Sequence, residues 1–218
     1  QFDKVFTEGI GKVTAQDVKY AEDLGFRIKH LGIARRTDAG IELRVHPTLI
    51  PDDQLIANVN GVKNAVLVQA NAVGPTLYYG AGAGAGPTAS AVVADVVDIV
   101  RDIIYTEDGA GTIPQLAFEA LSDLPILSRE QMTTGYYIRI NAEDQMGVLA
   151  DVTTILSRAG ISIDAIMQQP RLSKDLIPIV ILTDPIVESK MDAALSQIQA
   201  LPVIHGEIVR IRLESLDN

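Results

Sequence analysis

The sequence contains no cysteine. Disulfides, thiolate nucleophiles and cysteine-ligated metals are therefore excluded. No apolar run approaches the roughly 20 residues that a bilayer span needs, and no secretory leader pattern is visible. Positive charge is scarce: 18 Lys and Arg stand against 28 Asp and Glu, for a net charge of −10 at pH 7. A field of that sign argues against nucleic acid and anionic membranes as partners. Histidine occurs only at positions 30, 46 and 205. These are too far apart for a ligand-like spacing, and each reads as a structural or surface residue. Together these features predict a cytoplasmic protein, and the missing cysteine agrees with a reducing compartment.

What remains is a globular composition. Of 218 residues, 47% are hydrophobic and 21% charged, enough for one or two domains with a real core. The first region spans 1–105. Thr14 is a good N-cap for a helix over 15–24, and Gly25 stops it. RIKHLGIARR and IELRVH read as a hairpin around the turn TDAG. Asp52 caps a short helix over 53–59. NAVLVQAN and PTLYYG read as further strands. A helix over 88–105 places Val92, Val96, Ile99, Val100 and Ile103 on one apolar face. Residues 106–134 are broken by prolines and glycines, and read as a linker with a short helix over 115–121.

The second region, 135–218, has clearer periodicity. YYIRIN alternates as a strand. MGVLADVTTILSRAG is an amphipathic helix ended by Gly160. ISIDAIMQQ is a strand, and LIPIVILTD is apolar on both faces and so central. ESKMDAALSQIQAL is a second amphipathic helix, and EIVRIRL alternates strictly. The order βαββαβ is the ferredoxin-like arrangement, with both helices on one side of a four-stranded antiparallel sheet. About 80 residues offer no second layer for the other face of the sheet, which predicts cover from a partner chain.

Gly80, Gly82, Gly84 and Gly86 alternate with alanines between a strand and a helix. Such a turn can bind phosphate through free N–H groups and the helix dipole. It also serves as a tight turn that lets helix pack on sheet. The dinucleotide spacing fails, because the third glycine position falls on Ala85 or Pro87, and no later strand supplies an acidic ribose ligand. The chain therefore holds no complete nucleotide-binding domain. Lys4, Lys12, Lys19, Lys29 and Lys63 are conceivable proton donors, but each reads as a solvated surface lysine.

VFTEGIGKVTAQDVKYAEDLGFRIKHLGIA and VNGVKNAVLVQANAVGPTLYYGAGAGAGPTASAVVADVVDIVR, with the module that follows, resemble the C-terminal portion of homoserine dehydrogenase along the whole chain. The resemblance implies an α/β and α+β protein: an incomplete substrate domain, mixed sheet with helices, followed by a ferredoxin-like ACT domain. It implies NAD(P)-dependent interconversion of L-homoserine and L-aspartate 4-semialdehyde in the full enzyme. The Rossmann domain and the catalytic lysine and aspartate belong upstream of Gln1. No catalytic residue is then expected in this segment, nor a tightly bound cofactor, nor activity on its own. The helix over 88–105 returns to the nucleotide domain, which makes Gly82, Gly84 and Thr88 cofactor-proximal. Glu8 and Gly9, in EGI, are substrate-proximal.

INAEDQMGVLADVTTILSRAGISIDAI resembles an ACT domain, through Asp144, Gln145, Met146 and Gly147. Helix N–H groups there can meet a ligand carboxylate. Asp144 can accept from an ammonium or hydroxyl, or simply cap the helix. Asn141, Asp144, Gln145, Gly147 and Ser162 are the regulatory-ligand candidates. The family link implies L-threonine or a similar amino acid, and a homo-oligomer built by ACT–ACT pairing. The rival reading is a free-standing amino-acid-binding module whose first region serves dimerisation.

Overall fold

The computed structural model describes residues 2–105, 123–170 and 176–216. The helix expected over 115–121 lies outside them. The chain divides into two compact units, residues 1–57 with 124–218, and residues 58–123.

Unit 1 is organised on a seven-stranded sheet. Its strands are β1 (Phe6–Thr7), β2 (Phe26–Thr37), β3 (Gly40–Pro51), β6 (Thr133–Glu143), β7 (Ile163–Gln168), β8 (Leu176–Val187) and β9 (Ile204–Leu213). The order β9-β6-β8-β7 is antiparallel throughout and is the βαββαβ sheet read from the sequence. β8 is central, between β6 and β7. β2 and β3 form the expected hairpin, with Thr37 opposite Gly40. Gly40 adopts φ +148°, and Ile41 bridges in parallel to Ile126.

The sequence reading separates the first region from the ACT-like module; compactness does not. β3 runs parallel to β9, pairing Thr48 with Arg212 and Leu49 with Leu213. One sheet therefore passes from the hairpin into the module. The faces alternate along β6. Tyr136, Ile138, Ile140 and Ala142 point to α3 (Val148–Arg158) and α4 (Glu188–Gln199), together with Val152, Leu156, Met191 and Ile198. Tyr137 points the other way, with Val180, Leu182 and Ile211, toward Tyr20 and Ala21 of α1 (Ala15–Asp23). The sheet face expected to need a partner chain is thus covered by α1 from the same chain.

Local chemistry explains the helix ends. Thr14 and Asp17 form a capping box at the start of α1. At the end of α3, Gly160 adopts φ +72°, and the Ile161 and Gly160 N–H groups donate to the Leu156 and Ser157 carbonyls. That is the Schellman closure, which glycine favours by having no Cβ. The helix expected over 53–59 is only a 3-10 turn, Leu55–Asn58. Its few residues form no face long enough to hold an α-helix.

Unit 2 contains a hairpin of β4 (Lys63–Ala70) and β5 (Gly74–Ala81), followed by α2 (Ala85–Tyr105). Val92, Val96, Ile99, Val100 and Ile103 of α2 are all exposed. No helix among the described residues is long and apolar enough to cross a membrane; α2 carries Asp95, Asp98, Arg101 and Asp102.

Candidate functional site

Buried ion clusters tie the first region to the βαββαβ module: one joins Arg44 and Glu42 of β3 to Glu214, and two others each centre on a fully buried carboxylate. The first of these two gathers on Glu188, the opening residue of α4, which is fully buried. Arg212 of β9 donates from Nε to Oε2 at 3.0 Å and from Nη2 to Oε1 at 2.5 Å, a forked pair. Tyr136 Oη donates to Glu188 Oε2 at 2.7 Å, and Arg129 Nη1 donates to Oε1 at 3.2 Å. Arg210 adds an ion pair at 3.2 Å. Burial, the largest single effect, would raise the Glu188 carboxyl, but the Arg212 hydrogen bonds, the charges of Arg212 and Arg210 and the Tyr136 hydrogen bond together hold it below its usual value. The same carboxylate lies in the first turn of α4, where the helix dipole favours an anion.

Arg212 extends this cluster to Glu8. Its Nη1 donates to Glu8 Oε2 at 2.8 Å, and its guanidinium stacks 4.6 Å from the Phe6 ring centroid. The Glu8 backbone is fixed too: its N–H donates to the Val45 carbonyl at 2.8 Å, and the Glu8 carbonyl lies 3.1 Å from His30 Nε2. Glu8 and Gly9 also line a cavity with α4 and β9.

The second cluster is Asp17, completely buried on α1. Arg139 Nε donates to Oδ1 at 2.6 Å and Nη2 to Oδ2 at 3.2 Å. Tyr137 Oη donates to Oδ1 at 3.1 Å, and the Thr14 N–H to Oδ2 at 2.9 Å. Burial opposes the charge on Asp17, yet the Arg139 and Thr14 hydrogen bonds keep its carboxyl low. Nothing in the helical pattern distinguished Asp17 from a solvated acid beyond its place three residues after Thr14. The long-range arginine partners of Asp17 and Glu188 left no sequence signal.

The regulatory candidates fall in three places. Asp144, Gln145 and Gly147 lie exposed in the turn between β6 and α3. Gly147 is the N-cap, with φ +96° and no side chain to offer. The N-cap position thus falls on Gly147, three residues after Asp144. Asn141 is turned away: its Oδ1 accepts from Arg139 Nη1 at 3.2 Å, on the α1 face of the sheet. Ser162 is exposed just before β7, and its carbonyl accepts from the Asp184 N–H at 3.1 Å. The turn holds a grouping not foreseen: Glu143 Oε1 meets His205 Nε2 at 2.8 Å, and Gln145 Nε2 donates to Glu143 Oε2.

The cofactor candidates sit in unit 2: Gly82 and Gly84 lie between β5 and α2, and Thr88 lies in the first turn of α2. Gly84 has φ +119°, and its carbonyl accepts from the Thr88 N–H at 3.1 Å. A Cβ at Gly82 would lie 1.5 Å from Asn64 Nδ2. The Asn64 side chain thus fills the space that a side chain at position 82 would need, and the 21-residue α2 opens on glycine backbone. Lys4, Lys12, Lys19 and Lys63 are exposed and Lys29 half-buried. His46 is fully buried; His30 and His205 are exposed. Among the described residues, no group of three or more metal-ligating side chains occurs.

A sequence model of the homoserine dehydrogenase family matches residues 1–97, and one of the ACT domain matches residues 136–203. The homoserine dehydrogenase of Pseudomonas aeruginosa is 56% identical over 220 residues, covering 100% of this chain and 50% of that protein. The chain belongs to the homoserine dehydrogenase family. It carries the C-terminal region of that family with its ACT domain. The homoserine dehydrogenase of Neisseria gonorrhoeae is 48% identical, covering 99% of this chain and 49% of its own length. A crystal structure of a homoserine dehydrogenase from Thiobacillus denitrificans superposes with a TM-score of 0.90 at 54% identity, over 100% of this chain and 49% of that one. The chain thus spans about half the length of the homoserine dehydrogenases it matches.

Proposed function

We propose that this chain is the substrate-domain and sensor portion of an NAD(P)-dependent enzyme interconverting L-homoserine and L-aspartate 4-semialdehyde, with its ACT domain answering to L-threonine. The observation that carries the coupling is the Arg212–Glu8 hydrogen bond at 2.8 Å. Arg212 belongs to the last ACT strand and Glu8 to the segment whose family resemblance makes it substrate-proximal. A ligand that favours one arrangement of the ACT domain would therefore act on Glu8 through a single buried guanidinium.

In this reading Gly82 and Gly84 approach the cofactor through backbone N–H groups, with Thr88 beside them in the first turn of α2. The cofactor supplies the hydride, while proton transfer and nucleotide binding belong to residues of the other half. The exposed apolar face of α2 is then the surface that receives the nucleotide domain, and this chain alone carries no dehydrogenase activity. ACT domains pair into a homo-oligomer in the cytoplasm, with the amino acid held at the β6–α3 turn by Asp144, Gln145 and the Gly147 backbone.

Isothermal titration with a panel of amino acids tests the sensor reading. L-threonine should bind the chain, and Asp144→Ala should weaken it roughly tenfold, about 1.4 kcal/mol. Unchanged affinity in the variant removes Asp144 from the site. Absence of heat and of any shift in thermal midpoint with millimolar L-threonine removes threonine.

A further inference from the structure

A cavity of about 400 Å³ lies between the Glu8–Val13 segment, α4 and β9. That volume is in the range that holds small molecules. Val13, Leu195, Val209 and Ile211 supply an apolar floor. Glu8, Asp192 and Glu207 bring carboxylates to the wall, and Lys12 and Arg210 bring cations. These charges are held with different firmness. Glu8 is fixed by Arg212, and Asp192 by Arg210 at 2.5 Å and by Arg129. Those contacts belong to the cluster on Glu188.

The Lys12–Glu207 pair is of another kind. Its side chains are 70% and 69% exposed, and it joins the two walls of the cavity across 195 residues of sequence. An exposed pair of this sort contributes little to stability. Both charges are therefore free to exchange one partner for another at small cost. A lone anion taking Lys12 would strand Glu207 beside it, and a lone cation taking Glu207 would strand Lys12. A ligand with both charges a few atoms apart replaces both halves of the pair at once. The apolar floor then receives whatever side chain it bears.

We propose that this cavity binds a small zwitterion with an α-ammonium and an α-carboxylate, at a site separate from the β6–α3 turn. The ligand carboxylate takes Lys12 and its ammonium takes Glu207. Such a ligand touches the EGI-containing segment and the ACT helix α4 together, so it binds best when the two are seated as described here. The proposal does not depend on the turn being a sensor site.

NMR of the isotopically labelled 218-residue chain tests it. The common L-amino acids are titrated singly at millimolar concentration, with acetate and methylammonium as controls at matched ionic strength. At least one amino acid should give saturable shifts at the amides of Gly9, Val13, Ser196 and Ile208, and neither control should. The double variant Lys12→Met/Glu207→Gln should weaken this binding roughly tenfold or more, with its melting curve unchanged because both side chains are exposed. Asp144→Ala should leave these shifts as they are. The proposal fails if no amino acid shifts these amides, if acetate or methylammonium alone reproduces the shifts, or if the double variant binds equally well. Shifts confined to residues 144–148 remove the cavity and leave the turn standing.

Discussion

Acidification to about pH 5 should weaken the fold through one residue, His46. The imidazole is fully buried on β3. Its Nδ1 lies 3.0 Å from the Pro47 carbonyl, and the Phe6 ring centroid is 6.3 Å away. Burial pushes its pKa down from 6.5 to about 4, and the nearby Arg212 and Arg44 guanidinium groups add to the effect. The Pro47 carbonyl and Glu214 act in the opposite sense without prevailing. Between the two pKa values the unfolded chain binds the proton and the folded chain does not, so stability falls as pH falls through that window. At 1.36 kcal/mol per pKa unit, the loss is about 2 kcal/mol between pH 7 and pH 5 and about 3 kcal/mol by pH 4. Urea unfolding followed by far-UV circular dichroism measures it, in the wild type and in His46→Asn. Asparagine keeps a donor for the Pro47 carbonyl and does not titrate. The exposed His30 and His205 are common to both proteins and cancel in the difference. If the pH dependence of stability over this window is the same in both, the reasoning about His46 is refuted.

Arg139→Met should cost about 3–5 kcal/mol at neutral pH, because Asp17 is left charged and buried. That penalty should shrink on acidification as Asp17 takes up a proton, a trend chemical denaturation at two pH values would reveal. Tyr137→Phe should cost about 1.5–3 kcal/mol by the same assay, the worth of one hydrogen bond to a carboxylate. Gly40→Ala should lower the melting temperature by on the order of 10 °C. Its Cβ would stand 2.3 Å from the Pro125 carbonyl oxygen at φ +148°, and calorimetry of the variant would expose an unchanged midpoint if the strain were absent.

Regular elements were legible because their signals are local. The amphipathic repeat of 148–158, the Thr14 cap, the TDAG turn and the alternation of YYIRIN each involve neighbours in sequence. The 53–59 helix failed for a related reason: Asp52 offers a start signal, but the residues after it give no face long enough to hold a helix. The cover of the sheet by α1 was invisible, since it depends on a 120-residue separation between Asp17 and Tyr137. So was the β3–β9 junction, which rests on two residue pairs. The acid–base partners Glu188 and Arg212 looked like ordinary surface charges. Charges on alternating strands and helix starts read as solvated unless something distant buries them, and a single sequence does not show what is distant.

Two rungs of parallel pairing between Thr48–Leu49 and Arg212–Leu213 fuse the ACT domain to the hairpin. Cutting the chain ahead of β6 would do more than remove the ACT domain. It would strip β3 of a neighbour along that edge, uncover Tyr20 and Ala21 on α1, and leave the Glu8 and Asp17 carboxylates without their arginines.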